Sequence, residues 1–271
     1  MEEFNAVVLQ RQDVGQGLMI VQVAPTNWTI PDFKPGQYTT LGLPAAAGRA
    51  DGTKPDREPP KPNELIKRAY SIASSPRVKD YLEFYLALVD DGLLTGRFWK
   101  LREGDPVWMS PRIIGTFTLE HIPPDQHIVM IATGTGLGPF ISQLHYHFDG
   151  TSQRHWAVFH GVRHSHALGY RSELQALQYR HPNFSYVPVI SRPQGEPVPW
   201  RGPTGYVQQV WKDGWLEQLW GFRPTPQNTH VLICGNPAML DMMVEQLATE
   251  GFSEFHHRKN PGGQIHLEKY W

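Results

Sequence analysis

Cysteine is almost absent: Cys234 stands alone in a chain of 271 residues. One thiol cannot close an internal disulfide, build a cysteine-based zinc site or hold a four-cysteine iron–sulfur cluster. Long apolar runs are missing as well. No stretch approaches the roughly 18 unbroken apolar residues that a spanning helix needs, so no membrane association is expected. The opening Met1-Glu2-Glu3-Phe4 lacks the basic-then-apolar layout of a secretory signal, and cytoplasm is the expectation. Neither sign of charge dominates. Lys and Arg total 25 against 26 Asp and Glu, a net of −1, so a chain-wide basic field for nucleic acid is absent. The 13 histidines include His145/His147, His164/His166 and His256/His257. None shows the H-E-x-x-H layout or a third ligand, so no metal site is expected.

Glycine and proline are plentiful. Together they make 49 of 271 residues, or about 18%. Typical usage is roughly 12%, and low-complexity chains exceed roughly 25%. An ordered, loop-rich, β-containing protein is predicted. Up to about residue 120 the apolar segments are short and turn-bounded: 4–12, 18–24, 37–43, 68–73, 81–89, 106–110 and 115–119. This pattern predicts an antiparallel β-barrel or sandwich, with one short helix at 94–101. From His127 the pattern changes. Apolar strands at 127–132, 155–160, 184–190 and 231–234 alternate with helical segments at 167–179, 206–219 and 238–250. In the last of these, Leu240, Met243, Val244 and Leu247 fall on one face. Asn236 is placed to cap it, Pro237 to open it and Gly251 to end it. Alternation of this kind predicts an α/β doubly wound parallel sheet with helices on both faces. The expected boundary is near residue 122, giving domains 1–122 and 123–271. Residues 44–64 carry five prolines and almost no large apolar side chain, and read as a mobile, proline-rich loop insertion.

Several short motifs carry chemistry. In Arg68-Ala69-Tyr70-Ser71 a guanidinium, an aromatic ring and a hydroxyl alternate along a strand. Arg pairs with pyrophosphate, Tyr stacks on a flat heterocycle, and Ser reaches a ring nitrogen. Thr133-Gly134-Thr135-Gly136-Leu137-Gly138-Pro139 follows a buried-type strand and opens a helix. It is not the G-x-G-x-x-G fingerprint, and without a following Lys it is not a Walker loop. Arg163 and Arg192 each follow a predicted strand, where a planar donor fork suits a dianionic phosphate. Cys234-Gly235-Asn236-Pro237 joins the last clear strand to the best helix.

Read in order, these stretches resemble the ferredoxin–NADP reductase family, most closely its bacterial ferredoxin/flavodoxin branch. The matching segments are Phe33–Tyr38, Lys67–Ile72, Leu82–Leu86, Ala132–Phe140, His160–Arg163, Ile190–Arg192, Cys234–Pro237 and Glu268–Trp271. Each alone is weak, but the ordered set spans nearly the whole chain. The resemblance implies an antiparallel FAD-binding barrel followed by an α/β NADP-binding domain, whose C-terminal aromatic tail returns to the flavin. It implies flavin contacts from Arg68, Ala69, Tyr70 and Ser71, and flavin and adenine contacts from Tyr85, Leu86, Ala87 and Leu88. Pyrophosphate contacts are implied from Leu93, Leu94 and Thr95, where backbone N–H groups open a helix, and a further FAD contact from Thr135. For NADP it implies Gly161, Val162, Arg163, Ser191, Arg192 and Tyr206, with Cys234, Gly235, Asn236 and Pro237 beside the nicotinamide and diphosphate. Close relatives commonly carry Arg where this chain has Tyr206, a ring that can stack on adenine but brings no charge. Arg201 is the nearby substitute. Tyr270 is implied to stack on the isoalloxazine and Trp271 to pack toward adenine. Ser71, Cys234 and Tyr270 are the implied catalytic-site residues.

The expected activity is that of a ferredoxin–NADP(+) reductase. This is an FAD enzyme that moves a hydride between NADPH and FAD, and single electrons between FAD and a separate ferredoxin or flavodoxin. The resemblance also implies a monomer. Arg97, Lys100, Arg102 and Arg112 form a candidate basic docking set for the partner. Two alternatives stand beside this: an NADH-dependent reductase component of an oxygenase system, and an electron-relay flavoprotein subunit of a larger complex.

Overall fold

The structure, a computed structural model, describes residues 4–269 except Gln16, Arg57, Pro59, Pro62 and Asn63. The chain divides into two compact units, Met1–Thr118 with Gly138–Tyr146, and Leu119–Leu137 with His147–Trp271. A single cut near residue 122 therefore leaves out one exchange, because Gly138–Tyr146 groups with the first unit. The reason is visible in its bonds. Ser142 Oγ donates to the carbonyl of Ser74 at 2.7 Å, and Gln143 Nε2 donates to that of Phe117 at 2.7 Å.

In the first unit the strands are β1 (Ala6–Gly15), β2 (Leu18–Pro25), β3 (Tyr38–Pro44), β4 (Leu65–Ser71), β5 (Leu82–Ala87) and β6 (Pro106–Met109). A short helix, α1 (Thr95–Phe98), precedes β6, and α2 (Gly138–His147) contributes its first turns. The sheet order is β4-β3-β6-β1-β2-β5, with every pair antiparallel. Alternation sets the inward face. Met19, Val21 and Val23 of β2 are buried, while Ile20, Gln22 and Ala24 between them are partly exposed. They meet Phe84 and Leu86 of β5, Leu41 and Leu43 of β3, and Phe98 of α1 in one core. The two sheet edges also meet. Ala73, just past β4, donates its N–H to Glu83 O on β5 at 2.7 Å, so the sheet closes into the expected barrel. The strand expected at 115–119 is absent. Only Ile114 bridges to Tyr38, and beyond it the Phe117 carbonyl is taken by Gln143 instead of a neighbouring strand.

In the second unit the strands are β7 (His127–Thr133), β8 (Trp156–Val162), β9 (Phe184–Ile190), β10 (Thr229–Gly235) and β11 (Ile265–Lys269). All pairs are parallel, in the order β11-β10-β7-β8-β9. The strand β11 extends the sheet by one beyond the expected four. Helices α3 (Arg171–Arg180), α4 (Val207–Lys212), α5 (Trp215–Trp220) and α6 (Pro237–Thr249) connect them. The helix expected across 206–219 is two helices. Gly214 takes a left-handed backbone (φ 73°) and breaks it, letting Val210 and Trp211 of α4 and Leu216 and Trp220 of α5 all reach the core. Helix α6 begins as the sequence predicts, with Asn236 Oδ1 accepting from the N–H of Ala238 at 2.9 Å. Its Leu240, Met243 and Leu247 pack on Val129, Ile131 and Ile233 of the sheet. Among the described residues no helix is long and apolar enough to cross a membrane. No group of three or more His, Cys, Asp or Glu among them is placed to hold a metal ion.

Three histidines are buried in this unit. His230 and His266 face each other across β10 and β11, Nδ1 to Nε2 at 3.0 Å. Burial pushes His230 down to about 4, with Arg154 adding to the effect. Burial pushes His266 to about 3, helped by His230, His121 and His257. Burial also pushes His160 to about 4, against the opposing hydrogen bond to Gly134. Between these values and the ordinary 6.5, the unfolded chain binds protons that the folded chain refuses. Stability is therefore full above pH ~6.5 and falls as pH drops toward 4. The melting temperature is expected to be several degrees lower at pH 5 than at pH 7.5. His266→Gln should flatten that slope, and a slope unchanged in this variant would assign the pH dependence elsewhere.

Candidate functional site

On the first unit, Arg68 and Tyr70 share one side of β4, and Ser71 points to the other and is buried. Arg68 and Ala69 are exposed, with the Arg68 Nη1 donating to the carbonyl of Lys67 at 2.7 Å. Tyr70 stands edge-on to Phe98 of α1, with ring centroids 6.2 Å apart. Burial pushes its hydroxyl pKa well up, against the pull of Arg68, so it stays protonated. On β5, Tyr85 and Leu86 are buried, and Ala87 and Leu88 are partly exposed. A Cβ on Gly138, the first residue of α2, would lie 3.9 Å from both Ser71 O and Tyr85 Cβ, so β4, β5 and α2 converge here.

The turn from Val89 to Thr95 links β5 to α1. Thr95 Oγ1 accepts from the N–H of Val89 at 3.1 Å and sits 3.3 Å from its carbonyl, so this hydroxyl is spent inside the turn. The N–H groups of Leu93 and Leu94 have no acceptor among the described residues. That pair of donors fits an anionic phosphate.

Two expectations need correcting. Residues 44–56 are not a mobile decoration. Ala50 N–H donates to Gly96 O at 2.8 Å and Lys54 N–H to Asp90 O at 3.0 Å. Asp56 then bridges two guanidiniums, Arg49 Nη1 at 2.6 Å and Arg97 Nη2 at 2.7 Å. Composition undervalued the segment because its anchors are charges, not apolar side chains. The bond to Arg97 lowers the Asp56 pKa despite the opposing effect of burial. Arg97, with a side chain only 3% exposed, also leaves the docking set, whereas Lys100, Arg102 and Arg112 are exposed.

On the second unit the topology makes the site. The chain runs from β7 outward through β8 to β9, then returns to the other side of β7 as β10. The loops leaving β7 and β10 thus diverge at a reversal of strand order, where open α/β sheets bind ligands. The 3-10 turn Gly134–Leu137 seats directly on Cys234-Gly235. A Cβ on Gly136 would lie 2.3 Å from Cys234 O and 2.7 Å from its carbonyl carbon. The Asn236 N–H donates to Thr133 Oγ1 at 2.8 Å and ties the two loops together. Thr135 is half-buried in this turn. His160 supports it from below. Its Nε2 donates to Gly134 O at 3.0 Å, which leaves Nδ1 to face the Tyr186 hydroxyl at 3.5 Å. Cys234 is fully buried, and its thiol points toward Glu268 Oε2 at 3.8 Å.

The loops after β8 and β9 are bonded side by side. Ser191 N–H donates to Val162 O, and Arg192 N–H to Arg163 O, both at 2.9 Å. Arg163 and Arg192, far apart in sequence, are thereby neighbours, and both are exposed. Glu196 braces the pair. Its carboxylate accepts from Ser165 N–H at 2.8 Å and from the Ser165 hydroxyl, and lies 3.6 Å from His164 Nδ1. Gly205 N–H donates to Ile190 O at 2.9 Å, which sets Tyr206 at the start of α4 beside these loops, 70% exposed. Gly161 pairs with Thr133 across the sheet, and Pro237 opens α6. Arg201 is exposed. Tyr270 and Trp271 lie outside the described residues. Sequence reasoning gave no role to Arg49, Asp56, His160, Glu196 or Glu268. Only His160 and Glu268 carried a signal, their places in the His160–Arg163 and Glu268–Trp271 matches.

Residues 130–245 match the model of the oxidoreductase NAD-binding domain family. Over 246 residues the chain is 31% identical to a flavodoxin/ferredoxin–NADP reductase of Buchnera aphidicola, covering 90% of each chain. A ferredoxin–NADP+ reductase from Neisseria gonorrhoeae, solved with bound FAD and NADP, superposes with a TM-score of 0.79. It is 27% identical, and 99% of each chain is covered. The reductase component DmpP of phenol 2-monooxygenase from Pseudomonas sp. is 31% identical over 217 residues, or 79% of this chain and 53% of that one.

The contact between the glycine turn and β10 admits no side chain. Gly136→Ala must push rigid backbone aside, and is expected to destabilise the fold by at least ~2 kcal/mol. A urea midpoint matching that of the unaltered chain would show that the two loops are not seated on each other.

Proposed function

This chain belongs to the ferredoxin–NADP reductase family, and from that premise we propose that it is a ferredoxin/flavodoxin–NADP(+) reductase. At the coarser level it is an FAD-dependent electron-transfer oxidoreductase that uses NADP. The cofactors, when bound, supply hydride exchange between nicotinamide and isoalloxazine and single-electron exchange with a partner. The chain's own residues bind and orient them. On the first unit, exposed Arg68 and the N–H groups of Leu93 and Leu94 hold the FAD diphosphate, and Tyr70 offers a ring whose hydroxyl stays neutral. Ser71 and Tyr85 flank the flavin side of the barrel.

The observation that carries the reading is the pairing of Arg163 and Arg192 by backbone bonds between their loops. Two exposed guanidiniums held on adjacent strand ends suit the 2′-phosphate that separates NADPH from NADH. Tyr206 lies open beside them for adenine. The loop seam at Thr133, Cys234, Gly235 and Asn236 receives the nicotinamide end. There Cys234 packs and positions, since it is fully buried with its thiol turned toward Glu268. No side-chain nucleophile is called for. With one cysteine these 271 residues cannot hold a four-cysteine cluster, and a ferredoxin or flavodoxin is the proposed one-electron partner. Lys100, Arg102 and Arg112 are the basic residues for docking it.

One observation favours the second reading, an NADH-dependent oxygenase reductase. Tyr206 supplies no charge where a third arginine is expected, and DmpP is among the relatives. Anaerobic rapid mixing of the FAD-loaded protein with NADPH or NADH, followed by flavin bleaching, separates the two. NADPH is expected to bleach faster. Arg163→Ala and Arg192→Ala should each weaken NADPH binding about tenfold and NADH binding less than about twofold. An NADH preference would select the oxygenase reading, and no bleaching with either would reject both. Charge reversal at Lys100, Arg102 and Arg112 should raise the KM for flavodoxin several-fold at low salt and little at high salt. An unchanged KM would remove this face as the docking site.

A further inference from the structure

We propose that Arg49 and Asp56, contributed by the 44–64 insertion, are positioning residues that set the turn holding the FAD diphosphate. The inference rests on the FAD reading above and adds to it a role for a segment that the resemblance leaves unexplained. The argument starts from where the turn's carbonyls go. Arg49 Nη1 donates to Gly92 O at 3.1 Å, and Arg49 Nη2 donates to Asp90 O at 3.3 Å. Arg97 Nη1 donates to Leu93 O at 2.5 Å. In a trans peptide the carbonyl and the following N–H point in opposite directions. Drawing Gly92 O and Leu93 O inward therefore turns the N–H groups of Leu93 and Leu94 outward, where they lack acceptors among the described residues. Two successive N–H groups aimed the same way make an anion-binding concavity.

Charge supports the same geometry. Asp56 lies between the guanidiniums, bonded to Arg49 Nη1 and to both Nη atoms of Arg97, at 3.2 and 2.7 Å. Arg97 also bonds Ala45 O through Nε and Nη2, so the strap is fastened at its start and at Asp56. Taken as a group of three, the two guanidiniums and one carboxylate carry one net positive charge on the side of the turn to which its carbonyls point. In this partly dry setting it is weakly screened and attracts a diphosphate. Arg97 alone cannot do this, because among the described residues Gly92 O bonds only to Arg49, and Asp90 O to Arg49 and the N–H of Lys54.

The test is the flavin-free protein titrated with FAD and, separately, riboflavin, which lacks the diphosphate. Binding is read by quenching of flavin fluorescence. Arg49→Met keeps the Arg97–Asp56 pair, so the buried charges stay matched. The Kd for FAD is expected to rise about tenfold or more, with that for riboflavin within about twofold. The melting temperature of the flavin-free protein should fall by only a few degrees, less than in Asp56→Asn. Asp56→Asn should weaken FAD binding in the same direction and also lower the melting temperature, because it strands Arg97. Unchanged FAD affinity in Arg49→Met would overturn the proposal. So would equal losses for FAD and riboflavin, or a loss of FAD tracked by a large fall in melting temperature, since either marks general packing. An unaltered chain that takes up no FAD would overturn the family reading itself.

Discussion

Strands β7 and β10 run side by side in register, from Thr229 opposite His127 to Cys234 opposite Ala132. The chain segments leaving them must turn apart, because β7 leads toward β8 and β10 toward α6. What fills the gap between them is backbone. The Gly134–Leu137 turn lies against the Cys234 carbonyl, and Asn236 N–H reaches back to Thr133 Oγ1. The groups proposed to face the nucleotide on the second unit are placed relative to this seam. His160 props it from the next strand, and the Val162–Ser191 and Arg163–Arg192 bonds extend it outward along the sheet edge. A side chain at Gly136 would separate the strands whose closeness brings these groups together.

The first unit solves a different problem with charge. The 89–95 turn, proposed to face the FAD diphosphate, contributes donors only if its carbonyls point elsewhere. Carbonyls buried in a turn need partners, or they cost about 1–3 kcal/mol each. Arginine is suited to this work because its planar fork can collect several carbonyls at once without losing its own charge. A buried guanidinium beside a part-buried one would be costly without a carboxylate, and Asp56 supplies it. The insertion thus serves the turn from behind rather than hanging free. The same logic removes Arg97 from any partner surface, because a side chain with all its donors committed inside the fold has none to offer outside.

The neutral histidines illustrate the cost of the parallel sheet. Burial on β8, β10 and β11 favours uncharged imidazole, and His230 and His266 meet this by sharing one hydrogen bond. His160 uses its neutral form to donate to Gly134 O and to face a hydroxyl. These groups make the nucleotide unit sensitive to acid while leaving its charge near neutrality unchanged.

Much was legible without coordinates. Short turn-bounded apolar segments marked the strand at 18–24, and the 3.6-residue spacing of Leu240, Met243 and Leu247 marked α6 with its Asn236 cap. These signals are local, set by backbone geometry and side-chain size within a few residues. The ordered motifs placed Arg68–Ser71, the glycine turn, Arg163, Arg192 and Cys234–Pro237 in one family, because each motif is itself a short contiguous stretch. What escaped the sequence was non-local. The break at Gly214, the strand β11 and the loss of a strand at 115–119 depended on which segment was nearest to bond. Glu196 against Ser165, Glu268 against Cys234 and Asp56 against Arg49 and Arg97 are pairings across 31, 34, 7 and 41 positions. By itself the sequence determined the elements, the two-unit α/β and barrel character and the residue types able to hold a flavin and a phosphorylated nucleotide. Only the tertiary structure decided which charges face each other and which carbonyls they claim, because such partners are selected by distance in space and carry no periodic mark along the chain.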